Sequence, residues 1–101
     1  MDDIIVLIKE VTFKDEIGNL IPVEEARQVF CTKKPVRSEE YFNASQQGLS
    51  QMMTFVTHPS NYNEEQILEY QGKRYGIYRT YQKSLDEIEI YASYKAGVNN
   101  V

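Results

Sequence analysis

The chain contains little of what catalytic and cross-linked sites require. Its 101 residues include one cysteine, one histidine and no tryptophan. A single cysteine cannot form an internal disulfide bond, and His58 has no cysteine or paired acid nearby at a spacing that suits a metal ion. Glycine-rich phosphate loops and nucleophile elbows are missing from the sequence as well. We therefore expect a protein that is not an enzyme and that binds no cofactor or metal.

Basic residues are also scarce. Eleven lysines and arginines stand against 15 acids, which gives a net charge of −4. No basic run is longer than the pairs at positions 33–34 and 73–74. Binding to a phosphate backbone requires several lysines or arginines that release counterions together. The composition therefore disfavours nucleic acid as the main ligand.

Long apolar runs are absent too. The opening apolar stretch at positions 4–8 is too short to span a bilayer, and it lacks the basic start of a signal peptide. The lone Cys31 lies between Phe30 and Thr32 in a strand-like segment, where a free thiol usually behaves as a small buried apolar group. These features favour a reducing cytoplasm and predict no membrane partner.

What the chain does contain is typical of a folded domain. Hydrophobic residues make up 42% of it and charged residues 26%, which is ordinary globular composition. A chain of this length forms one domain. We expect residues 1–97 to form that domain and residues 98–101 to be a flexible tail.

Runs of β-branched and aromatic residues bounded by turn formers predict about six strands. Gln71 and Gly72 separate two of them as a tight hairpin turn. Short strands at this spacing are typical of a mainly β fold, a small antiparallel β-barrel with one short inserted α-helix. The predicted strands are 3–13, a segment within 21–36, 51–57, 67–69, 74–81 and 87–94.

One helix is predicted over residues 38–47. Ser38 is the expected N-cap, acidic residues follow it in the first turn, and Gly48 suits the left-handed residue after the last turn. Tyr41 and Ala44 are expected to pack on the barrel. At about three turns, such a helix needs this packing to be stable.

Tyrosines concentrate in the C-terminal half of the chain. They are either strand formers with an apolar ring and a wet tip or, beside arginine, the anchors of an interface. We predict an assembly surface centred on Arg79. For its acids, cross-strand pairing with Arg74 and Arg79 is the favoured interpretation, and pairing between subunits is the alternative. The predicted surface comprises Tyr75, Tyr78, Arg79, Tyr81, Glu87 and Glu89.

Two polar segments rich in turn formers are expected to project from the fold. Neither shows an anchor in the sequence, so both are predicted to be mobile until assembly orders them. The predicted mobile or channel-facing residues are Asp15, Glu16, Gly18 and Asn19 in the first segment, and His58, Asn61, Tyr62 and Asn63 in the second.

The order of these features resembles a known family. The tyrosine-rich strands of residues 68–97, preceded by residues 28–44, Gly48 and the strand that ends at Phe55 and Val56, are similar to small head-tail joining proteins of long-tailed bacteriophages. These proteins are also called head-tail adaptor or head completion (stopper) proteins. The resemblance extends over residues 6–97 and depends on order and length, not on one diagnostic motif.

This resemblance implies a small β-barrel with a helix inserted between strands. It also implies a ring of identical subunits, hexameric or dodecameric, that is assembled in the host cytoplasm and docks beneath the portal or adaptor protein of the virion. Loops of the ring would close the channel, and packaged DNA would pass without sequence-specific binding. The far side would receive the tail completion protein.

Two alternatives remain open on the sequence. A tail completion or terminator protein shares the size and barrel character of the head completion proteins. A generic β-barrel module that binds oligosaccharide or single-stranded nucleic acid belongs to another class. The acidic charge counts against nucleic acid, and a gene position beside a portal or capsid gene separates all three.

Overall fold

A computed structural model describes residues 2–95, which form a closed antiparallel β-barrel with one α-helix. The predicted fold class is confirmed. The predicted flexible tail at 98–101 lies outside the described residues. The elements are β1 (Asp3–Lys14), β2 (Leu20–Lys34), α1 (Ser38–Gln46), β3 (Leu49–Thr57), a short 3-10 turn (Pro59–Asn61), β4 (Ile67–Tyr70), β5 (Lys73–Gln82) and β6 (Ile88–Lys95).

The strands follow the order β1-β2-β3-β6-β5-β4, and β4 returns to β1 to close the barrel. Alternate side chains of each strand point inward, because successive residues of a strand face opposite sides. Cys31 is fully buried among them, as its sequence position predicts. The interior cluster comprises Ile5, Leu7, Val29, Cys31, Met53, Phe55, Leu68, Tyr75, Ile90 and Ala92.

The predicted hairpin between β4 and β5 is confirmed. Gln71 and Gly72 are its two loop residues and have φ angles of 53° and 80°. Positive φ at both central residues defines the type I′ turn, whose twist matches that of the flanking strands. Glycine adopts this conformation freely, whereas Gln71 adopts it under mild strain.

Helix α1 begins at Ser38, so the prediction that Ser38 is its N-cap is wrong. Arg37 occupies the N-cap position and makes no side-chain capping bond. The C-terminal end is as predicted: Gly48 has φ of 81°, and its N–H donates to the Ser45 carbonyl. Ala44 is buried, but Tyr41 is 60% exposed, so Tyr41 is not part of the packing face.

The β1–β2 hairpin is much longer than the part that contributes to the barrel. Its register runs from Asp3 opposite Cys31 to Lys14 opposite Leu20. On the outer sides of the hairpin, β1 pairs with β4 only over residues 6–8, and β2 pairs with β3 only over residues 32–34. Residues 9–26 therefore extend past the barrel as a two-stranded hairpin, which we call the arm.

Candidate assembly surface

The arm presents apolar side chains to solvent. Val11 lies opposite Val23, and Phe13 lies opposite Ile21, so these four side chains share one face. This face continues the inward-facing row of the barrel but lies beyond its interior. Phe13 and Val23 are exposed, and Val11 and Ile21 are half-buried. Exposed apolar patches of this kind mark interaction sites.

The tip of the arm is an ordered turn. The Asp15 carboxylate accepts hydrogen bonds from the N–H groups of Ile17 and Asn19, at 3.0 and 2.8 Å. The Asp15 N–H donates to the Asn19 carbonyl at 2.9 Å, and Gly18 has a φ of 91°. The first predicted channel segment, including Glu16, therefore forms this tip. Ile17 is 82% exposed there, and Leu20, which follows the turn, is 70% exposed.

The second predicted loop, residues 58–66, has an anchor in the structure that is not evident in the sequence. Glu65 is 2% exposed, and its carboxylate accepts hydrogen bonds from the Arg27 guanidinium, the shorter at 2.7 Å. The same carboxylate accepts the Asn63 N–H at 2.6 Å. The Lys9 ammonium and the Arg27 guanidinium also donate to the carbonyls of Asn63 and Asn61. The loop is thus tied to the base of the arm.

Glu65 is held in its charged form. Burial raises the pKa of this carboxyl, but the Arg27 guanidinium and the Asn63 N–H outweigh burial and bring the pKa below its ordinary value. Removing one partner of an ion pair costs more stability when the other partner is buried than when both are exposed. Glu65 is therefore a structural anchor of the loop.

The other loop residues make local hydrogen bonds. The Asn61 amide donates to the Thr57 hydroxyl at 2.9 Å, and the Tyr62 hydroxyl donates to the Glu65 carbonyl at 2.8 Å. His58 Nδ1 accepts the Ser60 N–H at 3.1 Å. Its Nε2 lies 3.9 Å from an Asp86 carboxylate oxygen, which makes an ion pair only when the ring is protonated. His58 acts here as a turn residue.

A β-bulge aims two neighbouring side chains of β5 at the helix. Ile77 pairs with Ala92 and Arg79 pairs with Tyr91, so one extra residue, Tyr78, interrupts the register. The Tyr78 hydroxyl donates to Glu40 of α1 at 2.6 Å, and the Arg79 guanidinium is ion-paired with the same carboxylate.

Electrostatics reinforce this contact with α1. Burial raises the pKa of Glu40, but the bonds from Tyr78 and Arg79 outweigh burial and hold the pKa below its ordinary value. Burial and the bond to Glu40 both raise the pKa of the Tyr78 phenol. Arg79 also lies over the ring of Tyr91. The cluster fastens α1 to the outer face of the sheet.

The six residues predicted as an assembly surface do not share one face. Tyr75 is not available to a partner, because it is 9% exposed and lies in the barrel interior. Tyr78 and Arg79 are engaged with α1, whereas Tyr81 is exposed on β5. Glu87 and Glu89 are half-buried at the end of the β5–β6 hairpin where Glu89 pairs with Tyr81.

The predicted cross-strand ion pairs are also wrong. Arg79 pairs with Glu40, and Arg74 pairs with Glu24, at 2.9 Å, and with Glu69, at 3.9 Å. Glu89 instead accepts the Tyr91 hydroxyl at 2.6 Å.

An open groove lies beside the β6 acids. Its volume is about 360 Å³. Three cationic side chains and two carboxylates line it, so its walls carry both charges. The lining residues are Lys34, Pro35, Val36, Arg37, Thr54, Val56, Lys83, Glu87, Glu89 and Tyr91.

No local pattern in the sequence indicates the anchors Glu40, Glu65 and Arg27. Each bonds to a residue 38 positions away in the chain, so no local pattern reports it. Among the described residues, no group of three or more histidines, cysteines and acids is placed to hold a metal ion. None of the helices described is long and apolar enough to cross a membrane.

Comparisons of the chain with protein-family models, with curated proteins and with solved structures find no match. The functional interpretation therefore depends on the residues and geometry of this chain.

Proposed function

We propose that this chain is a non-enzymatic structural protein of a long-tailed bacteriophage or prophage, acting at the junction between head and tail. In this proposal it forms a ring of identical subunits, hexameric or dodecameric, beneath the portal or adaptor protein. The ring closes the DNA channel and receives the tail through a tail completion protein. The finished protein is part of the virion.

One observation carries the proposal: a small closed barrel projects an arm with exposed apolar side chains. Ile17 and Leu20 are among the most exposed large apolar residues of the described chain. Keeping such residues in water is unfavourable unless a partner covers them. A subunit that docks on neighbours and on a larger platform supplies that cover. The sequence resemblance to head-tail joining proteins names the platform.

The charge of the chain suits a channel through which DNA moves. The net charge is −4, with 15 acidic residues against 11 lysines and arginines. An acidic lining repels the phosphate backbone and gives DNA no binding site. Under this proposal, packaged DNA passes without sequence-specific contacts.

The test is to delete the gene from the genome that carries it and to complement it with variants. Deletion is expected to give separate full heads and tails in electron micrographs of the lysate. Ile17→Asp should fail to restore joining, because it places a charge on the proposed docking tip. Leu85→Asp is the matched control: Leu85 is 87% exposed, but lies far along the chain in the β5–β6 turn, and its variant should restore joining.

Two outcomes would reject the proposal. Normal infectious yield from the deletion would show that the chain is not needed for joining, and particles that lack the chain by mass spectrometry would show that it is not in the virion. The particle with which the chain copurifies from the lysate distinguishes head completion from tail completion. A chain that copurifies with heads supports head completion, and one that copurifies with tails supports the tail completion or terminator role.

The groove beside β6 favours a second candidate, a ligand-binding module. Lys34, Arg37 and Lys83 supply cations there, and Tyr91 is the one aromatic residue among the described residues of the lining. A single-stranded oligonucleotide or an oligosaccharide would shift the amide signals of these residues in nuclear magnetic resonance titrations. Absence of such shifts at millimolar ligand would remove this candidate.

A further inference from the structure

We propose that two copies of this chain pair edge to edge through β1 of the arm, antiparallel and symmetric about Thr12. The contact is isologous, so it joins two copies and does not extend into a ring. It is therefore separate from the ring contact proposed above, and each proposal stands or fails without the other.

The outer edge of β1 is free to accept another strand. Apart from β2, no strand of the described chain pairs with β1 beyond Ile8; the base of the arm is held by side-chain bonds from Lys9 to the Asn63 carbonyl and from Arg74 to Glu24. The Asp15 N–H donates to the Asn19 carbonyl, so Asp15 and Asn19 form a hydrogen-bonded pair of the β1–β2 ladder. Along an antiparallel ladder such pairs alternate with pairs whose backbone groups point away from the partner strand. The backbone groups of Glu10, Thr12 and Lys14 consequently point away from β2. Such an exposed edge is a template for pairing with a second chain.

Pro22 supports this direction of the backbone groups, and it also explains why β1, and not β2, offers the edge for pairing. It lies opposite Thr12, where the backbone N–H of β2 points outward, and proline is tolerated in a strand where its missing N–H faces away from the ladder. The free edge of β2 therefore lacks a donor at its centre. The free edge of β1 has no proline from Lys9 to Lys14. A second strand is accommodated on β1 and obstructed on β2.

The sequence of the β1 edge is complementary to itself. When two copies pair antiparallel about Thr12, Glu10 lies opposite Lys14 of the second copy, and Lys14 lies opposite its Glu10. By the same register Lys9 lies opposite Asp15. Opposite charges directly across a pair of strands are favourable. The Glu10–Lys14 pair occurs twice, because the contact is symmetric, whereas the Lys9 ammonium and the Asp15 carboxylate already make hydrogen bonds within their own chain.

The uncharged positions match as well. Thr12 meets Thr12 of the second copy, and Val11 meets Phe13. Threonine pairs and pairs of aromatic with β-branched residues are both stabilising across strands. The contact also converts two separate arms into one four-stranded sheet, with the apolar faces joined side by side. A two-stranded hairpin is marginal in water, and added strands stabilise it.

The contact is short, which sets its strength. It involves one edge of seven residues in each copy, positions 9–15, and buries less than the roughly 1,000 Å² of a stable interface. We therefore expect a weak dimer that forms as the protein concentration rises. Sedimentation equilibrium of the full chain over a range of concentrations up to millimolar measures its dissociation constant.

Charge reversal tests the register. Glu10→Lys alone and Lys14→Glu alone each turn both symmetric ion pairs into like-charge pairs and should weaken dimerisation by about tenfold or more. The double variant E10K/K14E restores the opposite charges and should dimerise like the native chain. Mixing the two single variants should also restore association, because each then meets its complement. Lys83→Glu, with the same change in net charge as Lys14→Glu, is the matched control and should dimerise normally.

Thr12→Pro removes the central outward N–H and should abolish the dimer while circular dichroism shows an unchanged fold. A native chain that stays monomeric at 1 mM would overturn the proposal. Equal weakening in the single variants, the double variant and the mixture would overturn it too, since it would show association without this register.

Discussion

The guanidinium of Arg79 lies over the ring of Tyr91, with its central carbon 3.9 Å from the ring centroid. The ring belongs to β6, and the same guanidinium is ion-paired with Glu40 of α1. A residue that the sequence suggests as an anchor for a partner thus anchors the chain's own helix. Its role in holding α1 can be tested directly.

Replacing Arg79 with methionine should lower the free energy of unfolding by about 1 kcal/mol, because a charged hydrogen bond and a cation–π contact are lost at a half-exposed site. Amide exchange within α1 should accelerate more than exchange in the barrel. Arg74→Met is the matched control, since the pair it removes, with Glu24, is exposed at both ends. Equal acceleration of α1 exchange in both variants would contradict the fastening role of Arg79.

Acid should release the loop at residues 58–66. Because the folded pKa of Glu65 lies below its ordinary 4.5, its stabilisation is complete above that pH and is lost as the pH falls through the folded value. Urea unfolding of the native chain should therefore show a loss of stability from pH 4.5 downward.

Glu65→Gln should lower the free energy of unfolding at pH 7 by about 2 kcal/mol, because the charged bonds to Arg27 are weakened at a buried carboxyl. It should also make the acid dependence shallower but not flat, since the pKa of Glu40 is lowered as well. Glu64→Gln changes the charge equally at the exposed neighbour and should have little effect. If Glu64→Gln lowered the free energy of unfolding as much as Glu65→Gln does, Glu65 would not be the anchor of the loop.

Cys31 should be inert in the folded protein. Burial, assisted by the carboxylate of Asp3, raises the pKa of this thiol to about 11, so little thiolate exists at pH 8. Labelling with an aromatic disulfide reagent should proceed only as fast as the barrel opens, and should become rapid in denaturant. Rapid labelling of the native chain at pH 8 would contradict this placement.

The turn between β4 and β5 offers a stabilising change. Gln71 has a φ of 53° at a type I′ position that favours asparagine before glycine. Gln71→Asn should raise the melting temperature by a few degrees, corresponding to about 0.5 kcal/mol. Gln66→Asn makes the same chemical change at an exposed residue before β4 and should give no gain. A loss of stability in Gln71→Asn would argue against this turn type.

The strands and their inward rows were predictable because they depend on local alternation. The alternation of apolar residues in β6 places Ile88, Ile90 and Ala92 on one face, and all three are buried. Tyr91 and Ser93, on the opposite face of β6, are buried as well, which the alternation does not reveal. Burial on that face depends on elements that the chain brings from a distance.

The candidate site was less predictable for two physical reasons. The bulge at Tyr78 breaks the period of two, so Tyr78 and Arg79 meet the same carboxylate although they are adjacent in sequence. The exposed apolar face of the arm, which includes Val11 and Phe13, was not predicted from the sequence either. Its projection beyond the barrel depends on how few residues of β1 and β2 pair with other strands.

Those short pairings also set an order of folding. The β1–β2 and β4–β5 hairpins join residues that are close in the chain, and such local contacts form quickly. Closing the barrel joins residues as distant as Val6 and Glu69 through only three pairs, and it must overcome the entropy of a long loop. We therefore expect the hairpins to form before the ring of strands closes. In that order the turn at Asp15 sets the register of β1 against β2 before any barrel exists to enforce it.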